Sequence, residues 1–311
     1  MRGRLIANPR SGADRAPDLI PLINERLRRL VSDLDITLTT GEDDIRRGAT
    51  RAAEDGCNLL FVAGGDGTLH AAVHAVSLVP GALDRLVFGV IPAGTGNDFA
   101  KALDLGEEPE AAIDRLLEAT EIRVDLGGLN ERTFVNASTG GFIADVSASL
   151  TEELKDVAGK LAYVIGGVRV LFGREPFAAT VHRSGEPPLG PLMLQMFAVC
   201  NARFIGGGYP IAPGALIDDG RLDVFLVERT PLLDFVALPQ KIAAGQHADE
   251  DAIRHFQAGA FDLTFDRDLY VNTDGEVMEA ARCAYRVRHR AARFLCGPGP
   301  QASASPQPLV I

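Results

Sequence analysis

Hydrophobic and polar positions alternate between two patterns along the first 126 residues. Short, almost wholly apolar runs predict buried strands near residues 3–8, 34–39, 59–63 and 87–92. Runs with apolar residues at helical spacing predict helices near residues 17–31, 43–55, 68–79 and 109–119. Alternation of strands with helices is typical of a parallel sheet covered on both faces, so the pattern predicts an α/β domain.

After residue 126 the pattern becomes rich in strands. Strands are predicted at 133–146, 177–184, 191–201, 221–228, 261–265, 269–273 and 285–290, and helices at 152–172 and 231–246. Residues 127–290 are therefore predicted to form a second, mainly antiparallel domain. The tail 298–311 is rich in Pro, Ala, Ser and Gln, a composition typical of disorder.

Composition and charge are those of a globular enzyme. The chain has 311 residues, of which 46% are hydrophobic and 23% are charged. No apolar run reaches the roughly 18 residues of a membrane span, and no signal peptide opens the chain. The four cysteines show no paired spacing, so we expect free thiols in a reducing cytosol. The formal net charge of −11 makes nucleic acid a poor partner.

The most informative segment is Gly64-Gly65-Asp66-Gly67-Thr68, which lies between a predicted strand and a predicted helix. Its glycines let backbone N–H groups approach an anion closely, and the start of the helix adds partial positive charge. The Asp66 carboxylate would repel bound phosphates unless a cation lay between, so it indicates Mg²⁺. The alternative is a tight turn in which Asp66 caps a helix.

Two further predicted strands end in polar turns that contain glycine. Asn8-Pro9-Arg10-Ser11-Gly12 follows the first strand, and Gly94-Thr95-Gly96-Asn97-Asp98 follows the fourth. Ligands of open α/β sheets bind at the carboxyl ends of the strands. Three such turns at one sheet edge therefore indicate a nucleotide site.

In order and spacing, these three segments resemble the catalytic domain of the diacylglycerol kinase and sphingosine kinase superfamily, most closely the soluble bacterial lipid kinases of the diacylglycerol kinase type. The resemblance continues in Asn201-Ala202-Arg203-Phe204, Asp218-Asp219-Gly220 and Asn272-Thr273-Asp274-Gly275-Glu276, and it covers residues 1–297. It implies a first domain over residues 1–126, like that of NAD kinases and phosphofructokinases, which residues 291–297 can rejoin. A β-sandwich domain is expected to follow.

The resemblance implies transfer of the γ-phosphate of ATP to a lipid hydroxyl, with Mg²⁺ as the cofactor and diacylglycerol as the expected acceptor. Such chemistry requires the γ-phosphate to be positioned and its charge to be offset. Thr39 or Thr40 is expected to contact the nucleotide, and the sequence does not choose between them. The other expected nucleotide contacts are Asn8, Pro9, Ser11, Gly12, Gly64, Gly65, Asp66, Gly67, Thr68, Gly94, Thr95 and Asn97.

Four carboxylates are expected to carry the chemistry. By resemblance, Asp66 and Asp98 would organise Mg²⁺ and its waters, although Asp98 is also placed to cap the helix that follows. Alone, Asp274-Gly275 predicts a hairpin turn. Because the family's Asp-Gly-Glu is catalytic, we prefer Glu276 as the base for the lipid hydroxyl and Asp274 in the Mg²⁺–water network. The reverse assignment stays open.

The Asp218-Asp219-Gly220 segment also predicts a hairpin turn when it is taken alone. In related bacterial kinases the same turn holds a structural Mg²⁺. The resemblance implies that the Asp219 carboxylate and the carbonyls of Leu216 and Arg221 are its ligands here. So few protein ligands would leave several waters on the ion, as Mg²⁺ prefers.

The protein is expected to be cytoplasmic and to bind peripherally at the membrane surface. A basic rim is expected to contact the lipid. The candidate residues are Lys101, Lys155, Lys160, Arg169 and Arg203. One alternative keeps the chemistry with another acceptor, namely a sphingoid base, ceramide or phosphatidylglycerol. Another is a non-catalytic regulator that binds nucleotide or lipid, against which the four carboxylates argue. An NAD kinase would share only the glycine–aspartate turn. The oligomeric state, with a homodimer as one option, stays open.

Overall fold

A computed structural model of the chain describes residues 1–8, 16–141, 176–229, 241 and 252–298. The chain divides into two compact units. The first unit comprises Met1–Leu126, Leu216–Gly220 and Arg288–Ile311, and the second comprises Gly127–Ala215 and Arg221–Val287. The predicted helix 152–172, nearly all of the predicted helix 231–246 and all but the first residue of the predicted tail lie outside the described residues.

The first unit contains a parallel sheet. Its strands are β1 (Arg2–Ala7), β2 (Asp33–Leu38), β3 (Leu59–Gly64) and β4 (Val87–Pro92), in the order β2-β1-β3-β4. All three pairings are parallel. Every residue of β3 and β4 is buried, which explains why their sequences are apolar without alternation.

The structure describes six helices in this unit. The longer ones match the helices that the periodicity of the sequence predicts. They are α1 (Ala16–Leu27), α2 (Glu42–Glu54), α3 (Asp66–Ser77), α4 (Ala82–Arg85), α5 (Asp98–Ala102) and α6 (Pro109–Leu117). The sequence did not predict α4 and α5, because four or five residues are too few to show a period of 3.6. No helix within the described ranges is long and apolar enough to cross a membrane.

The strand order places a topological switch point between β1 and β3. The chain passes from β1 to one neighbour, β2, and then crosses to the other side of β1 to form β3. In doubly wound sheets ligands bind at such a point, beyond the carboxyl ends of the strands. The N–H of Asn8 donates to the Ala63 carbonyl (3.1 Å) and ties the two strand ends together.

The second unit is built from antiparallel strands. They include β6 (Arg132–Phe134), β7 (Ala137–Gly141), β8 (Phe177–His182), β9 (Leu189–Cys200), β10 (Leu222–Glu228), β11 (Ile253–Ala258) and β12 (Ala260–Thr273). Two long strands, β5 (Thr120–Leu129) and β13 (Glu276–Cys296), contribute residues to both units. The described order is β11-β10-β9-β7-β12-β13, and β8 pairs with both β9 and β12.

Several strand bounds differ from the predicted ones for physical reasons. A single strand, β12, replaces the two predicted at 261–265 and 269–273, because its pairing with β13 shifts between Thr264 and Leu269 instead of ending. β5, which runs through residue 126, was not predicted as a strand. β11 was not predicted, and its exposed Arg254 and His255 are typical of a strand at the end of a sheet.

Apolar side chains alternate between two clusters across this sheet. Phe197 and Val199 of β9 pack in one cluster with Val224 of β10, whereas Ala198 packs in the other with Phe225. Successive residues of a strand point to opposite faces, so both faces of β9 and β10 are buried. This packing fixes the strand register that positions the turns described below.

Candidate active site

Two glycine-containing turns meet at the carboxyl ends of β3 and β4. A Cβ atom on Gly94 would lie 2.4 Å from the Cα of Gly65, so these two backbones touch in a way that only glycine permits. A Cβ atom on Gly64 would lie 2.6 Å from the Thr68 hydroxyl oxygen, so Thr68 covers Gly64. The structure thus brings together the turn before α3 and the turn before α5, as the sequence predicted.

Asp66 joins these turns by hydrogen bonds. One carboxylate oxygen accepts the backbone N–H of Asp98 (3.1 Å), and the other accepts that of Phe99 (3.1 Å). The carboxylate therefore caps α5, whereas the sequence suggested a cap for the helix that Asp66 itself begins. An ionised carboxylate has about four acceptor positions, so these two bonds leave capacity for other partners.

Asn97 and Thr95 occupy different environments in the second turn. The Asn97 side chain accepts the N–H of Gly94 and donates to its carbonyl, both at 2.9 Å. Asn97 has φ 54°, a left-handed conformation that asparagine tolerates. Thr95 is exposed. Asn97 therefore shapes the turn, and Thr95 is the side chain that a ligand can reach.

Asp98 and Lys101 form a buried pair beside this turn. Asp98 is 3% exposed. The Lys101 ammonium lies 3.6 Å from its carboxylate, donates to the Gly96 carbonyl (3.0 Å) and pairs with Glu107 (3.2 Å). Lys101 is consequently not part of an exposed basic rim. Of the other rim candidates, Arg203 is half-buried and donates to the Ala215 carbonyl, and Lys155, Lys160 and Arg169 lie outside the described residues.

The ends of β1 and β2 separate the two threonine candidates. Thr39 is 1% exposed, and its N–H and hydroxyl both donate to the Ala7 carbonyl. Thr40 is exposed, and its N–H and hydroxyl donate to Asp44, which holds the pKa of Asp44 below its usual value. Of these two threonines, only Thr40 is accessible to a ligand. Asn8 is half-buried at the end of β1, and Pro9, Ser11 and Gly12 lie outside the described part of the chain.

A buried carboxylate that the sequence analysis missed organises the turn 216–220. Asp125 is fully buried, and its oxygens accept the N–H groups of Gly220 (2.6 Å) and Arg290 (2.6 Å) and lie within 2.9 Å of the His289 ring. Its own N–H donates to the Ile217 carbonyl (2.6 Å). An aspartate between the apolar residues Val124 and Leu126 was the available signal, since a buried charge must be hydrogen-bonded.

The two aspartates of the turn differ in accessibility. The Asp218 side chain is 2% exposed and lies 3.4 Å from the Arg290 guanidinium. Asp219 and Leu216 are half-buried, and Arg221 is exposed. Asp219 is thus the carboxylate that solvent can reach, which fits its predicted role as a metal ligand. Within the described ranges no three His, Cys, Asp or Glu residues cluster as metal ligands would. An ion at this turn would rely on carbonyls and waters.

The second unit contains the other two candidate carboxylates in the turn between β12 and β13. Asp274 has φ 49° and Gly275 has φ 103°. The Asn272 side chain accepts the Gly275 N–H (2.9 Å), and Thr273 pairs across the hairpin with Glu276. The turn is therefore a hairpin with left-handed residues, as its Asp-Gly sequence predicts.

Asp274 and Glu276 have different partners. The Asp274 carboxylate accepts the backbone N–H groups of Val135 (2.6 Å), Asn136 (3.1 Å) and Ala137 (2.9 Å). The Glu276 side chain is 23% exposed, and one of its oxygens accepts a bond from Arg132 (2.9 Å). Arg132 and the segment 135–137 were not singled out from the sequence, because each lies far from this turn along the chain.

Comparisons with known proteins agree with the resemblance. Residues 2–129 match the family described as diacylglycerol kinase catalytic domain, and residues 138–296 match that described as YegS C-terminal NAD kinase beta sandwich-like domain. The second description supports the predicted β-sandwich.

Curated relatives span most of the chain. A Shewanella frigidimarina (strain NCIMB 400) protein named probable lipid kinase YegS-like is 30% identical over 272 residues, 88% of this chain and 87% of its own. A Staphylococcus aureus (strain MRSA252) protein named diacylglycerol kinase is 30% identical over 275 residues, 88% of this chain and 86% of its own.

Solved structures share the fold. A crystal structure from Bacillus anthracis str. Sterne has a TM-score of 0.82 at 24% identity and covers 96% of this chain and 95% of its own. Together with the matched families and relatives, this similarity extends over both units. The chain belongs to the diacylglycerol kinase family of lipid kinases.

Proposed function

We propose that this protein transfers the γ-phosphate of ATP to the hydroxyl of diacylglycerol, with Mg²⁺ as its cofactor. The observation that carries the proposal is the contact of two glycine turns at the ends of β3 and β4, fixed by the Asp66 carboxylate. Two relatives at 28–30% identity, from Staphylococcus carnosus (strain TM300) and from Staphylococcus aureus, are named diacylglycerol kinase.

The phosphates of ATP are assigned to the backbone of residues 64–68 and 94–96. The first N–H groups of a helix have no partner within the helix, and they begin at Asp66 in α3. Together with the helix dipole they favour an anion at this position. Thr95 after β4 and Thr40 after β2 are exposed at the carboxyl ends of their strands and supply hydroxyl donors. Asn8 adds a polar side chain at the end of β1.

Asp66 and Asp98 are assigned to the catalytic Mg²⁺ and its waters. When bound, the cation offsets the charge on the transferred phosphate. Asp66 is half-buried and begins α3, directly beside the backbone assigned to the phosphates, so it fits a metal-binding role. Asp98 is more deeply buried beside Lys101, which suits contact through water better than direct ligation.

Glu276 is assigned as the general base for the acceptor hydroxyl. Its carboxylate is partly exposed and is engaged by a side chain, Arg132. The base would accept the proton as the oxygen of the lipid bonds to phosphorus. A second Mg²⁺, held by Asp219 with the carbonyls of Leu216 and Arg221, is proposed to stiffen the turn that Asp125 organises.

Another lipid acceptor is the second candidate, because the Shewanella frigidimarina relative is named a lipid kinase without a stated substrate. Radiolabelled ATP and Mg²⁺ should be incubated with the protein and mixed micelles of diacylglycerol, sphingosine, ceramide or phosphatidylglycerol. We expect label in phosphatidate above all. Label in another lipid would show that this lipid, and not diacylglycerol, is the substrate. If the protein bound ATP but labelled no lipid, a non-catalytic regulator would be favoured. Peripheral membrane contact follows from a lipid substrate and is tested by flotation with vesicles.

A further inference from the structure

We propose that Asp274 is a positioning residue, whose carboxylate anchors the hairpin turn that carries Glu276 to the backbone of residues 135–137. This inference rests on the proposed function, in which Glu276 is the base. Asp274 would then act neither as the general base nor in the Mg²⁺–water network. All the residues of this anchor lie within the second unit.

The anchor is a set of hydrogen bonds from three consecutive residues. The N–H groups of Val135, Asn136 and Ala137 all donate to the Asp274 carboxylate, at 2.6, 3.1 and 2.9 Å. In return, the Asp274 N–H donates to the Ala137 carbonyl (3.1 Å). Hydrogen bonds to an ionised acceptor are shorter and stronger than neutral ones. The carboxylate and the N–H of Asp274 therefore both tie the turn to residues 135–137.

The backbone of the turn depends on this anchor. Asp274 has φ 49°, a left-handed conformation that few residues besides glycine, asparagine and aspartate adopt. Such conformations persist where the surrounding structure determines them. Gly275 follows at φ 103°, and its N–H is held by the Asn272 side chain. Loss of the Asp274 bonds would release the tip of the hairpin.

The same chain segment also holds Glu276. Arg132, at the start of β6, donates to the Glu276 carboxylate (2.9 Å), and Val135 to Ala137 follow within five residues. Residues 132–137 thus contact both acidic residues of the turn, one through a side chain and the other through the backbone. A shift of the turn relative to this segment would move Glu276 away from its partner.

These contacts argue against a direct chemical role for Asp274. A base must present acceptor capacity to the substrate proton, and a Mg²⁺ ligand must direct an oxygen to the ion. Each oxygen of Asp274 instead accepts two backbone contacts, from the N–H groups of residues 135–137, which together occupy about the four acceptor positions of a carboxylate. The Glu276 side chain is 23% exposed and one of its oxygens accepts a bond from the Arg132 side chain, so Glu276 is better suited to the proton transfer.

The test compares three variants of the full chain by hydrogen–deuterium exchange and kinetics. D274N keeps the size and tolerates φ 49°, but its amide nitrogen cannot accept an N–H. E276Q removes the proposed base. D268N removes the same charge from an exposed position of β12 and is the control. Exchange is measured on peptides covering 133–138 without ligand, and kcat, KM for ATP and the pH profile are measured with diacylglycerol micelles.

We expect D274N to exchange about tenfold faster or more at residues 135–137, with D268N and E276Q unchanged. D274N should lower kcat while KM for ATP stays near the wild-type value, and the acidic limb of its pH profile should remain. E276Q should lower kcat by about 10²–10⁴ and lose that limb from its residual activity.

Unchanged exchange in D274N together with lost turnover would overturn the proposal in favour of a direct role. Faster exchange with normal kcat would also overturn it, because the anchor would then not position Glu276. Absence of any lipid phosphorylation by the wild type would refute the proposed function instead, and the exchange result would still decide whether the anchor exists.

Discussion

The Asp66 carboxylate accepts the backbone N–H of Asp98 at 3.1 Å, and this bond joins the turn after β3 to the helix after β4. The two residues are 32 positions apart in the sequence, yet both lie beside the contact of Gly65 with Gly94. A residue expected to organise a cation therefore also fixes the geometry of the phosphate-binding turns. Its two roles predict two separate losses on substitution.

Asp66→Asn is expected to lower both stability and turnover. An amide can accept one of the two N–H groups of α5 but presents a donor to the other, which costs about 1–2 kcal/mol of unfolding free energy. It also cannot organise the cation, and loss of such electrostatic stabilisation commonly costs about 10²–10³ in rate. Urea denaturation and lipid kinase assays measure the two effects, with Asp43→Asn, at the exposed start of α2, as the control. Near-normal turnover by the folded variant would mean that Asp66 only caps α5 and does not organise the cation.

Gly94→Ala and Gly67→Ala should have opposite effects on stability. A Cβ atom at residue 94 meets the Gly65 backbone at 2.4 Å, so the two turns must separate. At residue 67 a Cβ atom meets nothing within 4 Å, and replacing a helical glycine by alanine adds up to about 1 kcal/mol. Thermal melts distinguish them. If both variants melted at the wild-type temperature, the described contact between the turns would be incorrect.

Asp219→Ala should remove a Mg²⁺-dependent rise in melting temperature. The ion would bridge a turn whose ends Asp125 holds, so its loss loosens the first unit as well as lowering turnover. Melts with and without Mg²⁺ are compared with those of Asp33→Ala, an exposed aspartate of β2. If the Mg²⁺-dependent shift in Asp219→Ala equalled that of the control, Asp219 would not be a ligand.

Stability should fall as the pH rises above 9. Burial raises the pKa of Cys283 from 9.0 to about 12 and that of Cys296 from 9.0 to about 11. Because the unfolded thiols ionise first, each contributes stability that is complete below pH 9 and declines by about 1.4 kcal/mol per pH unit above it.

Urea denaturation at about pH 8 and about pH 10, with reductant present, checks this expectation. Cys283→Ala removes one of these thiols and should show a smaller decline between the two pH values than the wild type. An identical decline would mean that Cys283 does not titrate differently on unfolding. The comparison uses the change with pH, so the packing lost with the thiol does not affect it.

The sequence predicted the elements whose pattern is local. β3 and β4 are apolar throughout because both faces are covered, and their glycine turns follow directly in the chain. It did not predict what depends on distant partners. Asp274 is held by Val135, 139 residues earlier, and Asp125 by Arg290, 165 residues later.

Threonines at the end of β2 show the same distinction. The sequence offered Thr39 and Thr40 as equal candidates, because both follow the strand and both carry a hydroxyl. The structure separates them by burial, since the Thr39 hydroxyl bonds to the neighbouring strand and Thr40 faces solvent. Only the pairing of β2 with β1 decides this, and no local pattern encodes it.

Transfer of phosphate to diacylglycerol by E276Q, measured beside the wild type and E279Q, shows whether Glu276 is the base. Glu279 is an exposed carboxylate on the same strand, so E279Q makes the same chemical change away from the turn. We expect the wild type and E279Q to form labelled phosphatidate at similar rates. E276Q should bind ATP and keep its melting temperature but form phosphatidate about 10²–10⁴ more slowly. Phosphatidate formed by E276Q at the wild-type rate would contradict the assignment of Glu276 as the base.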